Sequence, residues 1–130
     1  MVIDRRTDPR TSKPHSLHNF LRTRTHRDGL ILAVVGTRDG FVMGSSRDRL
    51  DRQAERLAAH ASVELFGRDG RPWLVRETPA QPEVRLLAMR IEAPQGPAFI
   101  AALVPRTTAF SLDELASCAK RILKEQVVAA

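Results

Sequence analysis

The feature that most restricts the fold of this chain is an unbroken apolar run, LILAVV, at residues 30–35. The run is partly β-branched and has no alternating polar positions, which is typical of a strand covered on both faces. It is followed by Thr37-Arg38-Asp39-Gly40 and by a second strand-like run, FVMGSS, at residues 41–46. Because glycine accepts a positive φ without steric cost, Asp-Gly between two apolar runs predicts a β-hairpin. The fold must therefore supply a layer on each face of a sheet.

The same stretch resembles part of a phosphate-binding loop, but the residues that would bind phosphate are missing. A Walker loop needs G-x-x-x-x-G-K-[ST], because a lysine and the loop amides hold the phosphates and a hydroxyl meets magnesium. After Gly36 the chain reads Thr-Arg-Asp-Gly-Phe, and a strand rather than a helix is predicted to follow. We interpret the stretch as a hairpin and expect no nucleotide or other cofactor.

Three segments show helical spacing of apolar residues. A short first helix is predicted to begin at Ser16, which is a suitable N-cap. A second, alanine-rich helix is predicted to begin at Ser46 or Asp48 and to end at Gly67. The third opens with the capping-box pattern of residues 111–114, in which Ser111 and the glutamate three residues later satisfy each other's backbone amides.

Three further strand-like runs lie between the second and third helices: WLVRE at 73–77, VRLLAMRIE at 84–92 and FIAALV at 99–104. Proline-rich turns separate them at residues 78–82 and 94–97. Short connections favour an antiparallel meander. The predicted fold class is α+β, in the order α-β-β-α-β-β-β-α.

The 130 residues have 42% apolar content, which suits one domain with a core. Residues 1–14 contain little apolar surface, so we expect a flexible basic tail followed by a single domain at 15–130. Of the net charge of +6, residues 1–28 hold +4, with seven basic and three acidic residues. The basic character therefore lies mainly in the N-terminal segment.

One cysteine, Cys118, and no Cys-x-x-Cys pair indicate neither disulfides nor structural zinc, so a reducing cytoplasm is the expected location. No apolar run is long enough to span a bilayer, and the N-terminal residues lack the apolar segment of a signal peptide. The sequence predicts a protein that does not insert into membranes.

Candidate catalytic and metal-binding residues do not form a recognisable set. His15, His18 and His26 lack a clear further ligand, so we interpret them as solvated residues. His60 lies within the second helix, and Cys118 lies beside the apolar face of the third, where a small buried thiol is the simpler interpretation. The basic segment lacks interleaved aromatic residues, which disfavours nucleic acid as a partner. We predict no catalytic residue, no metal site and no enzymatic activity.

The chain from Ser16 to Gln126 resembles the Roadblock/dynein light chain family. The resemblance is carried by the hairpin GLILAVVGTRDGFVMGSS, the alanine-rich helix LDRQAERLAAHASVELFG, the three-strand meander and the closing helix. It implies a five-stranded antiparallel sheet with the long helix on one face and the two terminal helices on the other. It also implies a homodimer, in which the long helices lie together and the third strands pair edge to edge, and a small Ras-like GTPase as partner.

By the same resemblance, eight residues are candidates for the dimer or partner interface, although ordinary core packing would require the same residue types. They are Leu50, Ala54, Leu57, Ala58, Ala61, Trp73, Leu74 and Val75. The functional hypothesis is a non-enzymatic dimeric module that binds or regulates a small GTPase. Two alternatives remain open at this point: a basic protein that binds nucleic acid or another polyanion through its N-terminal segment, and a profilin-like ligand sensor.

Overall fold

The apolar runs form strands and the periodic segments form helices, in the predicted order. The computed structural model describes residues 9–47, 51–78 and 81–129, and the side chains of residues 17–47, 51–76 and 83–125. The elements are α1 (Pro9–Asp28), β1 (Leu32–Thr37), β2 (Val42–Ser45), α2 (Arg52–Phe66), β3 (Trp73–Thr78), β4 (Gln81–Ala93), β5 (Gly96–Pro105) and α3 (Leu112–Ala129). The predicted α+β class and element order are confirmed.

The five strands form one antiparallel sheet in the order β2-β1-β5-β4-β3. The last strand of the meander, β5, inserts between β1 and β4, and Val34 of β1 lies opposite Ala101 of β5. This arrangement leaves β2 and β3 at the two edges of the sheet.

Helices cover both faces of the sheet, as the unbroken apolar run in β1 predicts. Leu32 and Val34 face the layer of α2, whereas Ala33 and Val35 face the layer of α1 and α3. Two apolar clusters result, one on each side of the sheet. The predicted layers, with the long helix on one face and the two terminal helices on the other, are confirmed.

The hairpin between β1 and β2 has the predicted turn. The Gly40 amide donates to the carbonyl of Thr37 at 2.9 Å, and Gly40 has a φ of +92°. The stretch that resembles a phosphate-binding loop is thus a turn between two strands, with β2 and not a helix after it.

Two predicted helix starts differ from the structure. Helix α1 begins at Pro9, so Ser16 lies within it and is not its cap. The cap of α2 is Asp51, whose carboxylate accepts from the Ala54 amide at 3.0 Å, because the Ser46 hydroxyl accepts from Ala33 of β1 instead. Asp48 lies outside the described residues. The division into a tail at 1–14 and a domain at 15–130 stays a prediction.

Glu114 bonds to Arg24 of α1, which joins α1 to α3, instead of completing the predicted capping box with Ser111. Arg24 also donates to Asp28 at 3.2 Å and lies over the Phe20 ring. Burial alone would lower the pKa of Arg24, but the hydrogen bonds to Glu114 and Asp28 outweigh burial and raise the pKa. Arg24 therefore carries a full charge at the junction of the two helices.

Close packing of α1 on β2 depends on the missing side chain of Gly44. A Cβ atom at this position would lie 2.6 Å from Cδ2 of Leu17. We expect Gly44→Val to lower the free energy of unfolding by about 2–3 kcal/mol, since overpacking forces side chains from their preferred rotamers. Urea denaturation measures the change. Thr23→Val, on the exposed face of α1, is the control and should change it by less than about 0.5 kcal/mol; equal midpoints for both variants would contradict this packing.

Candidate protein interface

The edge strand β3 exposes large apolar side chains. It pairs with β4 along one side, and its other side is the end of the sheet. Trp73 is 62% exposed and Val75 is 55% exposed. An edge strand with free backbone groups and apolar side chains is a template for pairing with another chain. The strand is therefore a candidate interaction surface.

The two faces of β3 have different surroundings because side chains alternate along a strand. Leu74 is partly buried against the apolar cluster under α2. Trp73 lies opposite Met89 and Val75 lies opposite Leu87 in the register with β4, on the face covered by α1 and α3. Neither terminal helix extends over Trp73 and Val75, which explains their exposure.

The outer face of α2 is the second apolar surface. Val63 is 67% exposed. Ala59 lies four residues earlier, on the same side of the helix, and is also exposed. Small and β-branched residues on this face allow a second helix to approach closely. The face is therefore suited to pack against another helix.

Side-chain contacts hold α2 and β3 in one unit. Arg76 of β3 forms an ion pair with Glu64 of α2 at 2.7 Å, although its partial exposure makes this pair weak. Arg90 of β4 donates through Nε to the Leu65 carbonyl at 2.9 Å and lies 5.1 Å from the centroid of the Phe66 ring. A cation at this position satisfies the last carbonyls of α2 and complements the negative end of the helix. The exposed faces of α2 and β3 consequently have a fixed relative position.

Basic residues border these apolar surfaces. A pocket of about 450 Å³ lies between the end of α2 and β3, lined by three arginines, Arg68, Arg71 and Arg76, and by Val63, Glu64, Gly67, Asp69 and Leu74. Arg76 pairs with Glu64, and Asp69 offsets one of the other two arginines, so three arginines against two carboxylates leave the lining with a net charge of +1. Such a border favours an acidic partner surface and would increase its association rate at low salt.

The structure divides the eight interface candidates into three groups. Ala54, Leu57, Ala58 and Ala61 are buried in the cluster beneath α2. Trp73 and Val75 are exposed, and Leu74 is partly buried. Leu50 lies outside the described residues. The role of all eight in an interface stays a prediction, and the exposed positions are those that a partner can reach directly.

Sequence reasoning missed Ala59 and Val63, although the sequence contained a signal for them. Each helical residue is rotated by roughly 100° from the one before it, so Val63 lies roughly 200° from Ala61 and from Leu65. An apolar residue opposite the buried stripe of an amphipathic helix indicates a second contact surface. The spacing that was used to predict α2 would also have identified Val63.

The histidine and cysteine side chains considered as candidate metal ligands or nucleophiles make local structural contacts. His18 Nδ1 lies 2.7 Å from the Ser45 carbonyl and so links α1 to β2. Arg121 contacts the sulfur of half-buried Cys118 at 3.4 Å. Among the described residues, no group of three or more His, Cys, Asp or Glu could hold a metal ion. Within the same part of the chain, no helix combines the length and apolar composition needed to cross a membrane.

Solved structures of MglB have the same arrangement of elements. One, described as MglB with tetrameric arrangement, superposes with a TM-score of 0.61 at 17% identity, over 88% of this chain and 93% of that chain. Myxococcus xanthus MglB gives 0.60 at 13% identity, over 89% and 90% of the two chains. The gliding protein MglB from Thermus thermophilus gives 0.59 at 15% identity, over 90% and 93%.

The chain has the Roadblock-like fold. The similarity to MglB covers 88–90% of this chain and 90–93% of the other chains. No protein-family model and no curated protein matches the sequence. The resemblance inferred from the hairpin and the alanine-rich helix is thus confirmed at the level of the fold.

Proposed function

We propose that this protein is a non-enzymatic homodimeric module that binds a small Ras-like GTPase and regulates its nucleotide cycle. The Roadblock-like fold supports the proposal because the resemblance implies both the dimer and the GTPase partner. One of the similar MglB structures is described as having a tetrameric arrangement, which supports self-association.

The observation that carries the proposal is the location of the exposed apolar side chains. Val63, Trp73 and Val75 lie on α2 and β3, the two elements through which Roadblock dimers are expected to associate. Each Å² of apolar surface exposed to water is unfavourable by about 25 cal/mol of free energy, and association would remove part of that surface from water. Pairing of β3 with a second copy would also satisfy the backbone groups at this edge.

The arginine-bordered pocket supports an acidic partner. Arg68 and Arg71 lie beside the exposed face of α2, so a partner that covers this face would also meet their charges. Charge complementarity mainly increases the association rate and the specificity, while the apolar residues at the centre supply affinity. GTPase binding at this face should therefore weaken at high salt without being abolished.

The test combines molar mass with GTPase binding. Light scattering during gel filtration at micromolar concentration should give twice the 14.5 kDa of one chain. Any Ras-like GTPase encoded near this gene, loaded with GDP or a non-hydrolysable GTP analogue, should bind with a preference for one nucleotide state. A monomeric mass together with no binding to either state would contradict the proposal. Single-stranded DNA serves as a polyanion control, and its binding should fall much more steeply with salt if the basic segment acts alone.

A further inference from the structure

An apolar groove lies beside β3 on the face of the sheet that carries the terminal helices. Helix α3 covers the central strands, but its first turn and the segment before it stand apart from β3. The resulting groove has a volume of about 290 Å³. Its apolar lining comprises Trp73, Val75, Leu87, Met89, Phe110 and Leu112. This volume is at the lower end of the range of small-ligand sites, about 300–1,000 Å³.

Arg85 supplies a positive charge to this apolar lining. One of its terminal amines donates to the Thr108 carbonyl at 2.8 Å, which fixes the side chain beside the groove. Its Nε is buried, and no described residue supplies a hydrogen-bond acceptor to it. None of the ion pairs between described side chains includes Arg85. A nearby anion lowers the free energy of a cation in such surroundings, because removal from water strengthens the attraction between the two charges.

Two acidic residues must be considered beside Arg85: one lines the groove, and the other pairs with Arg85 in the backbone register. Asp113 is part of the lining, and its carboxylate accepts a hydrogen bond from the Ser111 hydroxyl at 3.4 Å. Glu77 lies opposite Arg85 in the register of β3 and β4, and its side chain is outside the described part of the structure. Among the described side chains that line the groove, the Asp113 carboxylate is the competitor that an anionic ligand would meet.

We propose that this groove binds a small amphipathic carboxylate. Its apolar chain would lie over Leu87 and Met89, between Trp73 and Phe110, and its carboxylate would bind Arg85. The planar guanidinium matches the geometry of a carboxylate, which favours this anion over an uncharged polar group. The site lies on the opposite face of the sheet from α2, and it shares Trp73 and Val75 with the β3 edge that is proposed to pair in the dimer.

Trp73 makes the proposal directly measurable, because it is the one tryptophan of the chain and it borders the groove. The full-length protein is titrated with decanoate and, as a matched uncharged probe, with decanol. Decanoate should shift the tryptophan emission to the blue in a saturable manner, with an affinity about tenfold higher than that of decanol. The titration is carried out where light scattering shows a constant molar mass, so that a change in self-association cannot produce the shift.

Substitutions at Arg85 and Glu77 test the role of the charge. Arg85→Gln should lower decanoate affinity about tenfold, to that of decanol, while Arg85→Lys retains part of the preference. Glu77→Gln removes a negative charge from the residue that pairs with Arg85 in the backbone register of β3 and β4, and it should leave decanoate affinity unchanged or raise it. Circular dichroism confirms that each variant is folded. Equal affinities for decanoate and decanol, no saturable shift, or an unchanged affinity in Arg85→Gln would each overturn the proposal.

Discussion

Replacing Phe99 by alanine should lower the free energy of unfolding by about 3–5 kcal/mol, the range for deleting a buried aromatic side chain. Phe99 is 0% exposed and is the largest of the fully buried side chains among the described residues. It lies on β5, the central strand, and packs against Gly36 of β1 so closely that a Cβ there would lie 2.5 Å from the ring. Rigid strands on both sides prevent the site from collapsing, so most of the cavity would remain.

Urea denaturation followed by circular dichroism measures this loss. Phe41→Ala is the matched control, because Phe41 is 71% exposed at the hairpin and its removal leaves no cavity. The control should change stability by less than about 0.5 kcal/mol. Losses of similar size in the two variants would contradict the assignment of Phe99 to the core beneath α2.

Replacing Val75 by lysine should raise the dissociation constant of the dimer about a hundredfold. If two copies of β3 pair about a two-fold axis, each substitution appears twice in the interface. The variant would bring like charges close together and would also remove two apolar contacts. A hundredfold change corresponds to about 2.7 kcal/mol, which is reasonable for a central interface position.

Sedimentation equilibrium of the wild type and the variant measures this change. Val63→Lys tests the outer face of α2 in the same way. Phe41→Lys is the control, because it replaces an apolar residue that is even more exposed and lies near β2, at the other edge of the sheet. Full retention of the dimer in both Val75→Lys and Val63→Lys would show that neither β3 nor α2 forms the interface. If either variant is monomeric, its GTPase binding shows whether the partner needs the dimer.

The order and type of the elements could be predicted from the sequence because their signals are local. The apolar run before Asp39-Gly40 indicates a covered strand and a tight turn within a few residues. The helix ends were predicted less well. Ser46 has the side chain of a cap but bonds to Ala33 of β1, and Asp51 caps α2 instead. A cap depends on which backbone amide a hydroxyl or carboxylate can reach, and tertiary contacts decide that.

The candidate interface could be predicted only as a pair of elements. The resemblance indicated α2 and β3, but the chosen residues of α2 are those buried against the sheet. Burial in a subunit and burial in an interface require the same residue types. The position of α2 over the sheet buries Ala58 against the core and leaves Val63 facing outward, in agreement with their spacing along the helix.

The sequence by itself determined the α+β class, the turn at Asp39-Gly40 and the need for layers on both faces of β1, because turn chemistry and periodicity act over a few residues. The tertiary structure decided that β5 inserts between β1 and β4, which leaves β3 at the edge. It also decided that α3 stops short of β3, which opens the groove beside Trp73 and Arg85. Contacts between residues far apart in the chain determine strand order and helix placement, so these features appear only when the whole chain has packed.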